Sequence, residues 1–347
     1  MGKDNLGKKY FRIAEKNRAS ARYDRAIELY RKALKIFKYR ADLRGTLNCF
    51  LSIADTLRAK GDFVRAQVCY EEGLNLSEAL GDRASEADAL TGLGLCARAL
   101  GRWKDAFRQI NRSYRIYKFF GDRNGEAFAL WAKAGAYRIK GDIKKALQIF
   151  QLALEEFKSI KNKSGISYSY CGLGGCSRVA ERFRDSEEYY KRANKNFEKL
   201  NDCFGLAYSF CGLGNARRMC GDYEGALLFF NKATALYKRI DDRVSYAYTL
   251  WGVGTTYKML GNLKSAREKF REAELLFEKT KDPRGKVYCM LGTGEVACLS
   301  GSKESAKRAF LKASRLADAY GFRVEGGYAK RLIRCFERKE DFPVNLP

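Results

Sequence analysis

The chain has 347 residues, and its 67 lysines and arginines exceed its 41 acidic residues to give a formal net charge of +26. Histidine is absent, which removes the commonest general base and the commonest metal ligand together. The composition therefore argues against an enzyme, and we expect no catalytic residues, no bound metal and no cofactor.

Neither the N-terminal residues nor any later stretch has the apolar run of a signal peptide or a membrane-spanning helix. The eleven cysteines include no Cys-x-x-Cys pair, and some recur at equivalent positions, as Cys96 and Cys176 do. This pattern favours small, semi-buried helix residues in a reducing compartment. We therefore expect a cytoplasmic protein that does not insert into a membrane.

Turn residues recur along the chain every 40 residues. The clearest of these turn signals are Gly61-Asp62, Gly101-Arg102, Gly141-Asp142, Gly221-Asp222, Gly261-Asn262 and Gly301-Ser302. A second set falls midway between them, at Gly81-Asp82, Gly121-Asp122, Asn162, Asp202 and Asp282-Pro283, among others. Aspartate and asparagine at these positions are expected to cap the helix that follows. Each 40-residue unit is thus predicted to hold two antiparallel helices, such as 44–60 with 64–79.

Each second helix carries a small, a bulky and a small residue at spacings of four and three, which lie on one helix face. The first small residues are Ala26, Ala66, Ala106, Ala146, Ser186, Ala226, Ala266 and Ala306. The bulky residues are Tyr30, Tyr70, Ile110, Phe150, Tyr190, Phe230, Phe270 and Phe310. Ala33, Gly73, Ser113, Ala153, Ala193, Ala233, Ala273 and Ala313 complete the set. We expect this face to pack against neighbouring helices.

These residues, with Leu-Gly pairs such as Leu93-Gly94 and Leu213-Gly214 in the first helices, resemble the tetratricopeptide repeat family. The 40-residue unit is similar to the repeats of Leu-Gly-Asn polarity scaffolds and kinesin light chains, and Leu213-Gly214-Asn215 spells the motif. The resemblance implies an all-α, right-handed superhelical solenoid of about eight antiparallel helix pairs with a C-terminal capping helix.

The predicted organisation is one solenoid over residues 1–340. Its units are 4–40, 41–80, 81–120, 121–160, 161–200, 201–240, 241–280 and 281–320, followed by a cap at 321–340. Residues 341–347 are expected to form a disordered tail.

The resemblance also implies that the first helices line a concave groove, so that their equivalent residues form columns. A cation column holds Arg58, Arg98, Arg138, Arg178, Arg218 and Lys258, with Arg18 before it. An aromatic column holds Phe128, Tyr168, Tyr208, Tyr248 and Tyr288, with Tyr328 after it. Trp131, Trp251 and Asn215 lie between the two columns. Arginine presents a planar fork suited to carboxylates, whereas the tyrosines have a second interpretation, packing between adjacent first helices.

Two hypotheses of function remain. The first is a non-enzymatic scaffold or adaptor that binds an acidic or extended peptide of a partner protein in the groove. The alternative is nucleic-acid binding, in which the basic groove follows an RNA or single-stranded backbone. Self-association of the array is a further hypothesis about partners. The Gly-Leu-Gly tripeptides, such as Gly92-Leu93-Gly94, are interpreted as close-packing glycines inside helices rather than a dinucleotide loop.

Overall fold

The computed structural model describes residues 3–338, 340 and 342–347, with side chains from Leu6 onward. Over this part of the chain it contains seventeen α-helices and no strand. The helices are α1 (Lys3–Ala19), α2 (Tyr23–Tyr39), α3 (Leu43–Lys60), α4 (Phe63–Leu80), α5 (Arg83–Ala99), α6 (Trp103–Phe119), α7 (Arg123–Lys140), α8 (Ile143–Ser159), α9 (Lys163–Val179), α10 (Phe183–Leu200), α11 (Cys203–Met219), α12 (Tyr223–Arg239), α13 (Arg243–Met259), α14 (Leu263–Lys279), α15 (Pro283–Leu299), α16 (Lys303–Tyr320) and α17 (Arg323–Arg338). The predicted all-α repeat architecture is confirmed.

The chain divides into two compact units. Unit 1 comprises the residues up to Lys133 together with Arg239–Asp242. Unit 2 comprises Ala134–Lys238 and Arg243–Pro347. Within each unit, consecutive helices are joined by two or three residues and therefore pack as antiparallel neighbours.

The small–bulky–small face of the second helices forms the core of both units. All eight first small residues and all eight bulky residues are at most 5% exposed. Tyr190 shows why the first helices need glycine. A Cβ at Gly212 would lie 2.1 Å from the Tyr190 ring, and one at Gly174 would lie 2.8 Å from it. The aromatic ring is thus held between two first helices, and side chains larger than hydrogen would collide with it.

Side-chain caps begin many of the helices, as the midway turns predicted. Asp42, Asn162, Asp202 and Asp282 each accept a hydrogen bond from the backbone N–H three residues later, at 2.8–2.9 Å. Each bond satisfies one of the free N–H groups at a helix start, which stabilises the register of the pairs.

All eleven cysteines are free thiols in this structure, which agrees with their predicted role as small helix residues. No group of three or more metal-ligating side chains occurs among the described residues. Within the same residues, no helix is long and apolar enough to cross a membrane.

The C-terminal tail requires a correction. Residues 341–347 were expected to be disordered, but Phe342–Pro347 pack on unit 2 and place Val344 and Leu346 in buried positions. The tail is ordered because its apolar side chains and its main-chain groups find partners on the first helices of unit 2. Asp341 lies outside the described residues.

Candidate functional site

In unit 1, the residues of the predicted cation column have partners within the unit. Arg58 on α3 donates hydrogen bonds to the Tyr70 hydroxyl at 3.0 Å and to Asp55 at 3.2 Å. The Arg98 guanidinium lies 5.4 Å from the centre of the Trp131 ring, a cation–π contact. Arg58 therefore joins the two helices of its own repeat, whereas Arg98 contacts the next repeat.

The Trp131 ring is itself stacked on another residue predicted for the groove. Phe128, one helical turn earlier on α7, lies with its ring centre 5.8 Å from that of Trp131 and nearly parallel to it. The stack presents a broad half-buried aromatic surface, which is the kind of surface that anchors apolar side chains of a partner.

Two arginines at the start of unit 2 keep unpaired guanidinium atoms. Arg138 extends from α7 towards α9, where its Nη1 would lie 3.1 Å from a Cβ at Gly175. Its Nε is buried and has no hydrogen-bond partner. Arg178 on α9 likewise has buried, unpartnered Nε and Nη1 atoms. Buried donors without acceptors are costly, so these atoms are suited to an acceptor supplied by a ligand.

Arg218 on α11 is fully buried, in contrast to these two half-buried arginines. Its guanidinium lies 5.5 Å from the centre of the Trp251 ring and donates to the side-chain oxygen of Asn215 at 3.3 Å. Trp251 in turn donates from its indole N–H to the Tyr288 carbonyl at 3.1 Å. Three residues predicted to lie between or along the columns, Asn215, Arg218 and Trp251, are therefore brought into one cluster.

Lys258 on α13 forms a buried ion pair with Glu295 on α15. The Lys258 Nζ lies 2.5 Å from Glu295 Oε2, and both side chains are at most 1% exposed. Glu295 occupies the register position that holds Asn215 and Thr255 in earlier repeats. Glu295 was not among the residues predicted for the groove, but the 40-residue spacing from Asn215 and Thr255 could have identified it.

The tail completes this cluster through its main chain. Lys258 Nζ donates to the Val344 carbonyl at 2.9 Å, and the Val344 N–H donates to Glu295 Oε1 at 2.7 Å. Arg218 Nη2 donates to the Leu346 carbonyl at 2.9 Å. The three charged groups thus bind the backbone of an extended segment.

One tail side chain is also bound by polar contacts. The side-chain oxygen of Asn345 accepts a hydrogen bond from Arg218 Nη1, and its Nδ2 donates to the Arg218 carbonyl at 2.9 Å. Val344 and Leu346, on either side of it, are 8% and 2% exposed. The site therefore accommodates an apolar residue, an asparagine and a second apolar residue in succession.

The direction of the tail is opposite to the order of the repeats. Phe342 stacks on Phe310 of α16 at 6.1 Å, Val344 contacts α13 and α15, and Leu346 contacts α11. The next cations of the column in this direction are Arg178 and Arg138.

Burial affects the basic groups of the cluster. It lowers the pKa of Arg218 to about 9, and the positive charge of Arg178 acts in the same direction. Burial also lowers the pKa of Lys258, against the opposing effect of Glu295. Both shifts indicate that these charges are held away from water while the tail is in place.

The tyrosine column is built into the contacts between repeats. Tyr168 donates from its hydroxyl to Asp202 at 2.8 Å, and Tyr248 donates to Asp282 at 2.9 Å. The Tyr288 hydroxyl donates to Glu325 at 3.0 Å. Asp202 and Asp282 lie at the start of the next helix pair, and Glu325 lies in the first turn of α17, so these hydroxyls link successive parts of the array.

Tyr208 belongs to the same column and is half-buried. Its ring is stacked on that of Phe204, one turn earlier on α11, with the ring centres 6.2 Å apart. The contacts of the column correspond to the packing interpretation of these residues. A role in binding a partner stays a prediction for each of them.

The comparison with curated proteins gave no match. Among solved structures, a Rap protein complexed with Competence and Sporulation Factor matches with a TM-score of 0.62 at 12% identity, over 96% of this chain and 98% of that chain. The Rap conjugation gene regulator of the plasmid pLS20, in complex with the Phr* peptide, matches with a TM-score of 0.67 at 15% identity, over 91% and 96%. The apo form of RapI gives a TM-score of 0.56 at 16% identity, over 83% and 98%. At these identities, the likeness concerns the fold.

The family comparison agrees with the helix pairs. The Tetratricopeptide repeat family matches residues 7–79, 45–119, 85–159 and 204–279, which together make up more than half of the chain. The chain belongs to the tetratricopeptide repeat family.

Proposed function

We propose that this protein is a non-enzymatic scaffold or adaptor that binds an extended segment of a partner protein in the groove of unit 2. The observation that carries the proposal is the tail itself. A six-residue extended segment lies on Arg218, Lys258 and Glu295, which are all on first helices. A surface that binds one extended backbone through charged side chains is suited to binding another.

The structural neighbours favour the same class of ligand. Two of the matching Rap structures are complexes, one with Competence and Sporulation Factor and one with the Phr* peptide. The similarity of fold makes a peptide a reasonable ligand for this chain also, with contacts of its own.

The unpartnered nitrogen atoms of Arg138 and Arg178 support an acidic partner. A segment that follows the path of the tail and continues past the position of Leu346 would approach Arg178 and then Arg138. Their buried, unpartnered nitrogens are suited to carboxylates, since a guanidinium forms its strongest hydrogen bonds with charged acceptors. We therefore propose acidic residues at the C-terminal end of the bound segment.

Nucleic acid is the weaker candidate. Stacking of bases requires free aromatic faces, but the Tyr168 ring packs on Phe197 at 4.8 Å and the Tyr248 ring packs on Phe277 at 4.7 Å. Their hydroxyls are also bonded to acids. These contacts favour a peptide.

The cellular setting belongs to the same proposal. The eleven free thiols favour a reducing compartment, and we propose the cytoplasm. Self-association of the array remains a hypothesis that size-exclusion chromatography with light scattering tests directly.

A nuclease-treated pull-down from the native host tests the proposal. The test protein carries Arg138→Glu and Arg178→Glu. Its control carries Arg184→Glu and Arg271→Glu, the same change of charge at exposed positions on second helices. We expect a partner that is recovered by the wild type and the control and lost from the test protein. Equal recovery by all three proteins would place the binding surface elsewhere.

A further inference from the structure

The tail is held by specific hydrogen bonds to the charged cluster formed by Arg218, Lys258 and Glu295. Four hydrogen bonds join Arg218, Lys258 and Glu295 to the main chain and side chain of residues 344–346 at 2.7–2.9 Å, and Arg218 makes a further one to Asn345. The tail carries no charged side chain from Phe342 to Pro347. The three buried charges therefore serve its backbone and its one polar side chain.

We propose that Phe342–Pro347 is a built-in ligand of the groove, and that the groove selects extended peptides of the pattern apolar–Asn–apolar. This inference rests on the proposed function and specifies its ligand. The tail occupies the site in its own chain, and a partner segment must displace it.

Some contacts of the site would form with the backbone of any peptide, and others depend on the sequence of the bound segment. Lys258, Glu295 and one nitrogen of Arg218 contact main-chain atoms, which every peptide possesses. Asn345 alone supplies a side chain that both accepts from and donates to Arg218, a pattern that aspartate and alanine lack. Selection therefore depends on the asparagine and on the two buried apolar neighbours.

In the closed state, in which the tail is bound, the burial of charged side chains opposes tail binding and so favours displacement of the tail by a partner. Arg218, Lys258 and Glu295 are all nearly inaccessible to water while the tail is bound. Removing charges from water opposes binding even where the charges are paired. Since the tail is tethered, its effective concentration is roughly millimolar, and it excludes a free peptide that makes only the same contacts. A partner that also reaches Arg178 and Arg138 gains the contacts that the tail does not make.

The test uses a synthetic Phe-Pro-Val-Asn-Leu-Pro peptide with an N-terminal fluorescein, and fluorescence anisotropy measures its binding. Two opened proteins are compared with the full chain. One ends at Glu340. The other is full length with Val344→Asp, which places a charge at a position that is 8% exposed and is expected to expel the tail. Val68→Asp, at an exposed position on α4, is the matched control.

We expect both opened proteins to bind the peptide, and the wild type and the Val68→Asp control to bind it at least tenfold more weakly. A peptide with alanine in place of asparagine should bind the opened proteins at least tenfold more weakly than the original.

Equal binding by the full chain and the opened proteins would overturn the inference, as would an absence of binding by opened proteins that retain their helical circular dichroism. Loss of the helical fold in both opened proteins would also overturn it, because a ligand is dispensable for folding and a core segment is not. If the tail peptide fails while a partner still binds through Arg138 and Arg178, this inference falls and the proposed function stands.

Discussion

The buried Lys258–Glu295 pair yields a quantitative prediction for Glu295→Gln. The substitution keeps the shape of the side chain and an oxygen that can accept the Val344 N–H, but it removes the negative charge 2.5 Å from Lys258 Nζ. Lys258 would then be a buried cation without its counter-ion. Breaking a buried pair in this way costs about 3–5 kcal/mol.

Release of the tail limits how far the substitution lowers the stability of the helical fold. When the tail leaves, Lys258 gains access to water, so the destabilisation falls on the closed state and not on the helices. At about 1.4 kcal/mol for each tenfold change, the closed-to-open ratio of the tail should fall by about two to three and a half orders of magnitude.

Hydrogen exchange of the Val344 amide measures this ratio, because its N–H is bonded to Glu295 in the closed state. We expect at least ~100-fold faster exchange in the Glu295→Gln protein, at nearly unchanged helical circular dichroism. The control is Glu268→Gln, which removes an exposed charge from α14. If Val344 exchanges as slowly in the Glu295→Gln protein as in the control, the buried pair does not hold the tail and the reasoning fails.

Three further predictions concern the repeat core and its pH dependence. Gly212→Ala should destabilise the fold by about 2 kcal/mol, because the cost of overpacking against a ring 2.1 Å away exceeds the gain in helix propensity. Gly327→Ala, which has open space around it, should stabilise the fold by up to about 1 kcal/mol. The urea midpoints of the two variants should therefore shift in opposite directions, and equal shifts would contradict the packing argument. Asp202→Ala removes both a helix cap and the acceptor of the Tyr168 hydroxyl, and it should lower the free energy of unfolding by about 2 kcal/mol in the same assay. An unchanged urea midpoint would show that neither hydrogen bond contributes to stability. Burial raises the pKa of Tyr328 to about 12, so its contribution to stability is present below pH ~10 and is lost as the pH rises from ~10 towards 12. Tyrosinate absorbance should therefore show delayed ionisation of this tyrosine, followed by unfolding. Ionisation of all tyrosines near pH 10 in the folded protein would refute this prediction.

The helix pairs and their core could be read directly from the residues. A period of 40 residues with a small–bulky–small face admits one arrangement, because each pair must bury that face against its neighbours. Tyr190 and the glycines on either side of it illustrate this, since the local pattern alone predicts that a ring and two close backbones meet. The Asp and Asn caps followed from the same local rules.

The state of each groove residue depended on tertiary contacts. Arg138, Arg178 and Arg218 occupy equivalent positions and each keeps a buried nitrogen without a hydrogen-bond partner, yet only Arg218 is fully buried and bonded to the tail. Periodicity assigns a residue to a face but does not reveal which distant group will bind it. The sequence left two interpretations of the tyrosines, packing between helices and binding of a partner. In the structure, the Tyr168 and Tyr248 hydroxyls donate hydrogen bonds to acids of the next helix pair, and these contacts depend on the spacing between repeats.

The tail is the clearest case. Phe342–Pro347 lies in the segment that was expected to be disordered. Its partner on α11, Arg218, lies 127 residues from Asn345 and 128 residues from Leu346 along the chain. Local preferences contain no information about such contacts. The tail becomes ordered because the folded repeats bring Arg218, Lys258 and Glu295 to one surface, where each of them forms a hydrogen bond with the tail backbone.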